Sequence, residues 1–256
     1  MADSILDILG PGRDETIPTS RIYGAVVGIV TNNDDPDKLG RVKVKFPWLA
    51  LDHESHWARL ARLDAGKDRG SWWIPEVDDE VLCMFEHGDV NFPYVIGTLW
   101  NGKDTPPKTF KGQGLNAEKK NDMRFMRSRS GHLLIFDDTS GSEKIEIIDK
   151  KNERSIEIDV SGQKIIITNK TGDIEVKAPT GKILLEGKQI ELKSTTDTKF
   201  TAGTTMDVKS TAPMTIKTNT TMDVEAMATM TIKASAMMDI NGGGLLKAHA
   251  ALVMIN

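Results

Sequence analysis

Residues 206–245 read MDVKSTAP MTIKTNTT MDVEAMAT MTIKASAM MDINGGGL. A methionine opens every block, at Met206, Met214, Met222, Met230 and Met238, and a β-branched residue follows two places later, at Val208, Ile216, Val224, Ile232 and Ile240. Extended upstream in the same register, the repeat gives eleven consecutive octads from Ile158. Position one is apolar in nine of them and position three in ten. Two apolar residues spaced by two lie on one side of a strand, and the polar remainder reads as a turn. A helix cannot use this period, because eight residues overshoot two helical turns by about 80° and the stripe would wind around the surface. The Thr-rich, β-branched filling also favours strand.

An isolated chain with so narrow a stripe buries too little to offset the ordering of its backbone. It needs partners. Three identical chains wound about one axis would merge their stripes into one core and pair every strand edge with a neighbour. The pattern therefore predicts an intertwined homotrimeric triple-stranded β-helix, or β-prism. Its inward residues would be the five methionines and five β-branched residues named above, with the flexible thioethers filling the space near the axis. At about 4.8 Å per strand layer, the octads give a rod on the order of 100 Å.

Outward from the repeat the chain changes character. All five tryptophans fall between Trp48 and Trp100, and the last aromatic is Phe200, which points to two kinds of core. Residues 22–30 (IYGAVVGIV), 41–46 (RVKVKF), 57–61 (WARLA), 80–85 (EVLCMF) and 94–99 (YVIGTL) read as strands. Five strands in so short a span suit a small closed barrel. The cluster NNDDPD at 32–37 reads as a solvated turn in preference to a calcium loop, since it lacks the full set of ligands. The boundaries expected are a leader over 1–21, a barrel over 22–105, a linker and transition over 106–143, a shaft over 144–244 and an apex over 245–256.

Composition narrows the function. The net charge of −4 gives no global attraction to nucleic acid or anionic lipid. No run approaches a membrane span, and the first residues lack a basic cluster ahead of an apolar stretch, so synthesis in the cytoplasm is expected. The single cysteine, Cys83, lies on the same strand face as Val81 and Phe85 and reads as a core residue. No metal-ligand spacing or phosphate loop is present, and the adjacent acids Asp78–Asp79 and Asp137–Asp138 suit turns better than acid–base pairs. No enzyme activity and no cofactor are expected.

The motifs GAVVGIV (24–30), GRVKVKFPW (40–48), WAR (57–59), IPEVDDEV (74–81) and FPYVIG (92–97), with RSRSGH (127–132) and FDD (136–138), resemble the central spikes of contractile tails: phage baseplate assembly protein V and VgrG-type spikes. The resemblance implies an all-β chain with an OB-fold barrel followed by the trimeric β-helix, acting as a membrane-piercing needle of a phage tail or phage-like injection system. It implies a place in the baseplate of an assembled particle, a separate hub protein contacted by the barrel and leader (residues 3–9), a PAAR-type tip protein seated on Leu252, Val253, Met254, Ile255 and Asn256, and the target cell envelope as the surface pierced. Some such spikes hold iron at the apex through a His-x-His motif; here KAHA at 247–250 has His249 alone. Two other readings compete: an OB fold that binds single-stranded nucleic acid through Trp48, Trp57, Trp72 and Trp73 with Arg41, Lys43 and Lys45, and a polysaccharide-cleaving tailspike.

Overall fold

A computed structural model describes residues 21–49, 53–110, 112 and 120–254. The chain divides into two compact units, 1–181 and 182–256. Strand is the dominant regular structure among the described residues, with one short 3-10 turn at Glu86–Gly88.

The barrel is built from β1 (Val26–Asn32), β2 (Lys43–Lys45), β3 (Arg59–Leu60), β6 (Glu80–Phe85) and β7 (Pro93–Thr98), with a small hairpin of β4 (Ala65–Gly66) and β5 (Arg69–Gly70) inserted after β3. The strand order is β2-β1-β6-β7-β3. All pairings are antiparallel except β3 with β7, where Arg59 faces Tyr94 and Leu60 faces Val95 in parallel. An antiparallel bridge between Val42 and Ala58 joins the two ends of the sheet. A five-stranded closed sheet with one parallel pair is the OB topology.

Alternation along each strand fills the barrel. Val30, Val42, Val44, Phe46, Ala58, Val81, Cys83, Phe85 and Val95 form the buried core, and Phe46 meets Phe85 edge-on at 5.3 Å. Cys83 sits between Val81 and Phe85 as the alternation requires, and burial pushes its thiol up to about 12, so it packs as a small hydrophobe. Gly28 is fixed by space: a Cβ there would lie 2.3 Å from Val44 Cγ1 and 3.0 Å from Phe46 Cε1.

The loop between β1 and β2 differs from the solvated turn read from the sequence. Asp35 is buried and collects the backbone N–H groups of Asp37, Leu39 and Arg41 together with a two-pronged contact from the Arg41 guanidinium, at 2.9 Å from Nε and 2.7 Å from Nη2. Arg41 holds the Asp35 carboxyl well below the usual carboxylate range. The turn residues Pro36 and Gly40 (φ +70°) bring the chain back so that Arg41 reaches Asp35.

Beyond the barrel, β8 (Met123–Arg127), β9 (Leu133–Asp137), β10 (Lys144–Ile148), β11 (Arg154–Asp159) and β12 (Lys164–Asn169) form an antiparallel meander in sequential order. One face carries the buried cluster of Met123, Leu133, Ile135 and Ile148, with Phe125 packed against it. The meander takes in residues 144–169, which the repeat pattern assigned to the shaft, including the first octad and the opening of the second. The reason is local turn chemistry. The Asp149 carboxylate accepts the N–H groups of Glu153 and Arg154, that of Asp159 accepts the Gly162 N–H at 2.7 Å, and Asn152 and Gln163 adopt positive φ, so the chain folds back instead of running on. The adjacent acids at 137–138 split as strand residues do: Asp137 is buried, and Asp138 is exposed beside Arg124 at 2.5 Å.

Two outcomes are expected. Gly28→Ala overpacks the core and costs about 1–3 kcal/mol, read as a lower melting temperature of the barrel signal. Because the Asp35 carboxyl is held low in the fold, its contribution is present above its unfolded pKa and fades as pH falls below about 4. Asp35→Asn should therefore lower stability at neutral pH and flatten the acid limb, which melting temperatures measured across that range would show.

Candidate functional site

The feature that sets this chain apart is the octad stripe. From 182 to 254 no strand is present among the described residues, and the backbone–backbone hydrogen bonds are confined to the turn at Gly242–Leu245. The chain nonetheless keeps a strict geometric period. It bends at 195–196, 203–204, 211–212, 219–220, 227–228 and 235–236, which are positions six and seven of successive octads. Just ahead of three of these corners, Ser194, Ser210 and Thr218 close one-turn hydrogen bonds, Ser194 and Ser210 donating to the carbonyls of Asp197 and Ala212, and Thr218 accepting from the Thr220 N–H. Between corners the chain is extended, so positions one and three share a side and positions two and four share the other.

The stripe is bare in the single chain. Met206, Met214, Met222, Met230 and Met238 are 43–53% exposed, and Val208, Ile216, Val224, Ile232 and Ile240 are 65–73% exposed. On the other side lie the acid–base pairs Glu191–Lys193 at 2.9 Å and Asp207–Lys209 at 3.5 Å, both fully wet and of small energetic weight. The accessible surface of the chain, 22624 Å², is about twice the ~11,000 Å² that a folded monomer of 28.2 kDa leaves exposed.

The meander carries a bare apolar face of its own. Met126, Leu134, Ile147, Ile156 and Ile167 stand opposite one another across all five strands, and Phe136, Ile145, Ile158 and Ile165 make a second row. This face opens into a concavity bordered by Trp73 from the barrel and Ile174 from the third octad. Sequence periodicity pointed to the octads and missed this face, whose signal is the cross-strand register of β8 to β12.

At the distal end His249, Leu252, Val253 and Met254 are exposed, while Ile255 and Asn256 lie outside the described residues, as do the leader residues 3–9. Among the described residues no three His, Cys, Asp or Glu side chains come together as a metal site. The aromatic and basic residues of the nucleic-acid reading are only partly brought together: Arg41 and Lys43 lie 5.8 and 5.6 Å from the Trp57 ring, whereas the Trp48 indole donates to the Val27 carbonyl.

The injector OB-domain family of type VI secretion systems and phage baseplates matches residues 26–100, the span of the barrel. The chain carries an injector OB domain and is a relative of the VgrG-type spikes. It is 32% identical over 113 residues to the type VI secretion system spike protein VgrG3 of Vibrio cholerae, a match covering 43% of this chain and 11% of the relative. It is 32% identical over 139 residues to the spike protein VgrG2a of Pseudomonas aeruginosa, covering 50% and 16%. A further relative, 26% identical over 148 residues, is the actin cross-linking toxin VgrG1 of Vibrio cholerae. The matched segment spans less than a fifth of the length of these relatives. Beside the injector OB domain, no helix among the described residues is long and apolar enough to cross a membrane.

A stripe that serves assembly makes a sided prediction. Ile216→Lys places an ammonium where apolar groups must meet, which costs several kcal/mol, and should shift the purified chain towards smaller species. Thr215→Lys, one residue away on the opposite side, should leave the assembly intact. Sedimentation velocity of the two variants compares them directly.

Proposed function

We propose that this chain is one protomer of a homotrimeric central spike of a contractile injection machine, with its barrel seated on a tail hub and its rod directed at the target envelope. The observation that carries the reading is the conjunction of an injector OB domain with a C-terminal repeat whose apolar stripe is exposed and whose backbone has almost no hydrogen-bond partners among the described residues. Relatives named as type VI secretion spikes support the same role, and the OB family spans both secretion systems and phage baseplates.

The mechanism is mechanical. Three copies would pool ten stripe residues each into one axial core and hydrogen-bond their extended segments edge to edge. Thrust delivered at the barrel then passes along backbone hydrogen bonds shared between chains, so that bending the rod requires breaking many bonds at once. The charged outward positions keep the rod soluble before use. A PAAR-type tip protein would sit on Leu252, Val253, Met254, Ile255 and Asn256, of which Leu252, Val253 and Met254 are exposed apolar residues. No catalytic role is assigned to this chain, whose task is to transmit force.

Light scattering after size-exclusion chromatography tests the reading. The intact chain should run at three times 28.2 kDa, and removal of residues 158–256 should return the barrel to a smaller species. A stable monomer of the intact chain would contradict the proposal.

A further inference from the structure

The barrel holds a second feature that assembly of the rod does not use. Between the β1–β2 loop, β3 and the β4–β5 hairpin lies a groove of about 1100 Å³. Five basic side chains line it against two acidic ones, Asp64 and Asp68, on a chain whose net charge is −4. Two of the five are already satisfied: Arg41 by Asp35 and Asp37, and Arg69 by Asp64 at 3.3 Å. Lys38, Arg59 and Arg62 have no carboxylate partner among the described residues. Arg59 lies over the Tyr94 ring at 5.6 Å. Arg62 donates through Nη1 to the Trp73 carbonyl, while its Nη2 is buried without a hydrogen-bond partner. Burial also lowers the Arg62 pKa.

Three cations without a carboxylate partner on one groove favour an anionic ligand, and a carboxylate matches the guanidinium fork of the exposed Arg59 in geometry and charge. We propose that this groove is a docking site for an acidic segment of a partner protein, with Lys38, Arg59 and Arg62 as its carboxylate contacts. A nucleic acid fits less well. The Trp57 ring is already flanked by Arg41 and Lys43, at 5.8 and 5.6 Å. Asp64 and Asp68 would also repel a backbone that carries a charge on every residue, whereas a peptide can place neutral residues opposite them. The proposal is independent of the spike reading and does not require the rod.

Fluorescence anisotropy of a fluorescein-labelled polyglutamate peptide, titrated with the full chain, tests it. Lys38→Gln and Arg59→Gln remove exposed charges and should each weaken binding by about tenfold. Arg62→Lys keeps the charge but loses the fork and should weaken it as well. Lys188→Gln, on the rod, should leave binding unchanged, and the oligomeric mass should be the same for all four variants. Equal affinity in the groove variants and the Lys188 control would overturn the proposal. So would tighter binding of an oligothymidylate of similar length through the same residues, which would make the groove a nucleic-acid site.

Discussion

A peptide N–H or C=O withdrawn from water without a partner costs on the order of 1–3 kcal/mol, and from residue 182 onward the chain offers almost none of its own. The extended octads supply neither a helix's internal bonds nor a returning strand. Everything else about the rod follows from that deficit. The corners at positions six and seven set a constant step and the stripe at positions one and three supplies an apolar side, and in the proposed trimer the other chains would provide the missing donors, acceptors and contacts.

The barrel solves the opposite problem. Its sheet closes on itself through the parallel pairing of β3 with β7 and the bridge from Val42 to Ala58, leaving a core of nine buried side chains that needs no neighbour. Its β1–β2 loop is locked by the Asp35 carboxylate, which gathers three backbone N–H groups and a guanidinium. The meander stands between these regimes. Its inner strands β9, β10 and β11 pair within the chain on both sides, yet one of its faces shows two rows of isoleucine, leucine, methionine and phenylalanine to solvent. Along the order barrel, meander, octads, burial of apolar surface thus gives out at the meander and self-sufficient hydrogen bonding only at the octads.

Much of this was legible in the residues. Strict alternation in RVKVKF and EVLCMF placed Val42, Val44, Val81 and Cys83 inside, and the burial of all four follows. The octad register survived as a backbone period because it depends on local corners made by serine, threonine and glycine. Two things were hidden. The fold-back of 158–169 looks like octads in the sequence, since Ile158 and Ile166 keep the register, and the aspartate-capped turns at 149–153 and 159–163 redirect the chain. The locked loop was hidden for a related reason: whether Asp35 faces water or Arg41 depends on a path through Pro36 and Gly40 that hydrophobic patterning does not describe. The basic groove has no linear signal at all, because Lys38, Arg59 and Arg62 come together only when the barrel closes.

The central claim is that amides of the rod are bonded between chains. Hydrogen–deuterium exchange on the full chain, followed by peptide, measures this directly. The account predicts that segments covering 190–240 exchange orders of magnitude more slowly than the unpaired geometry of a single chain allows, with protection as strong as that of β1 and β6 in the barrel. Rapid exchange throughout 190–240, alongside a protected barrel, would contradict it.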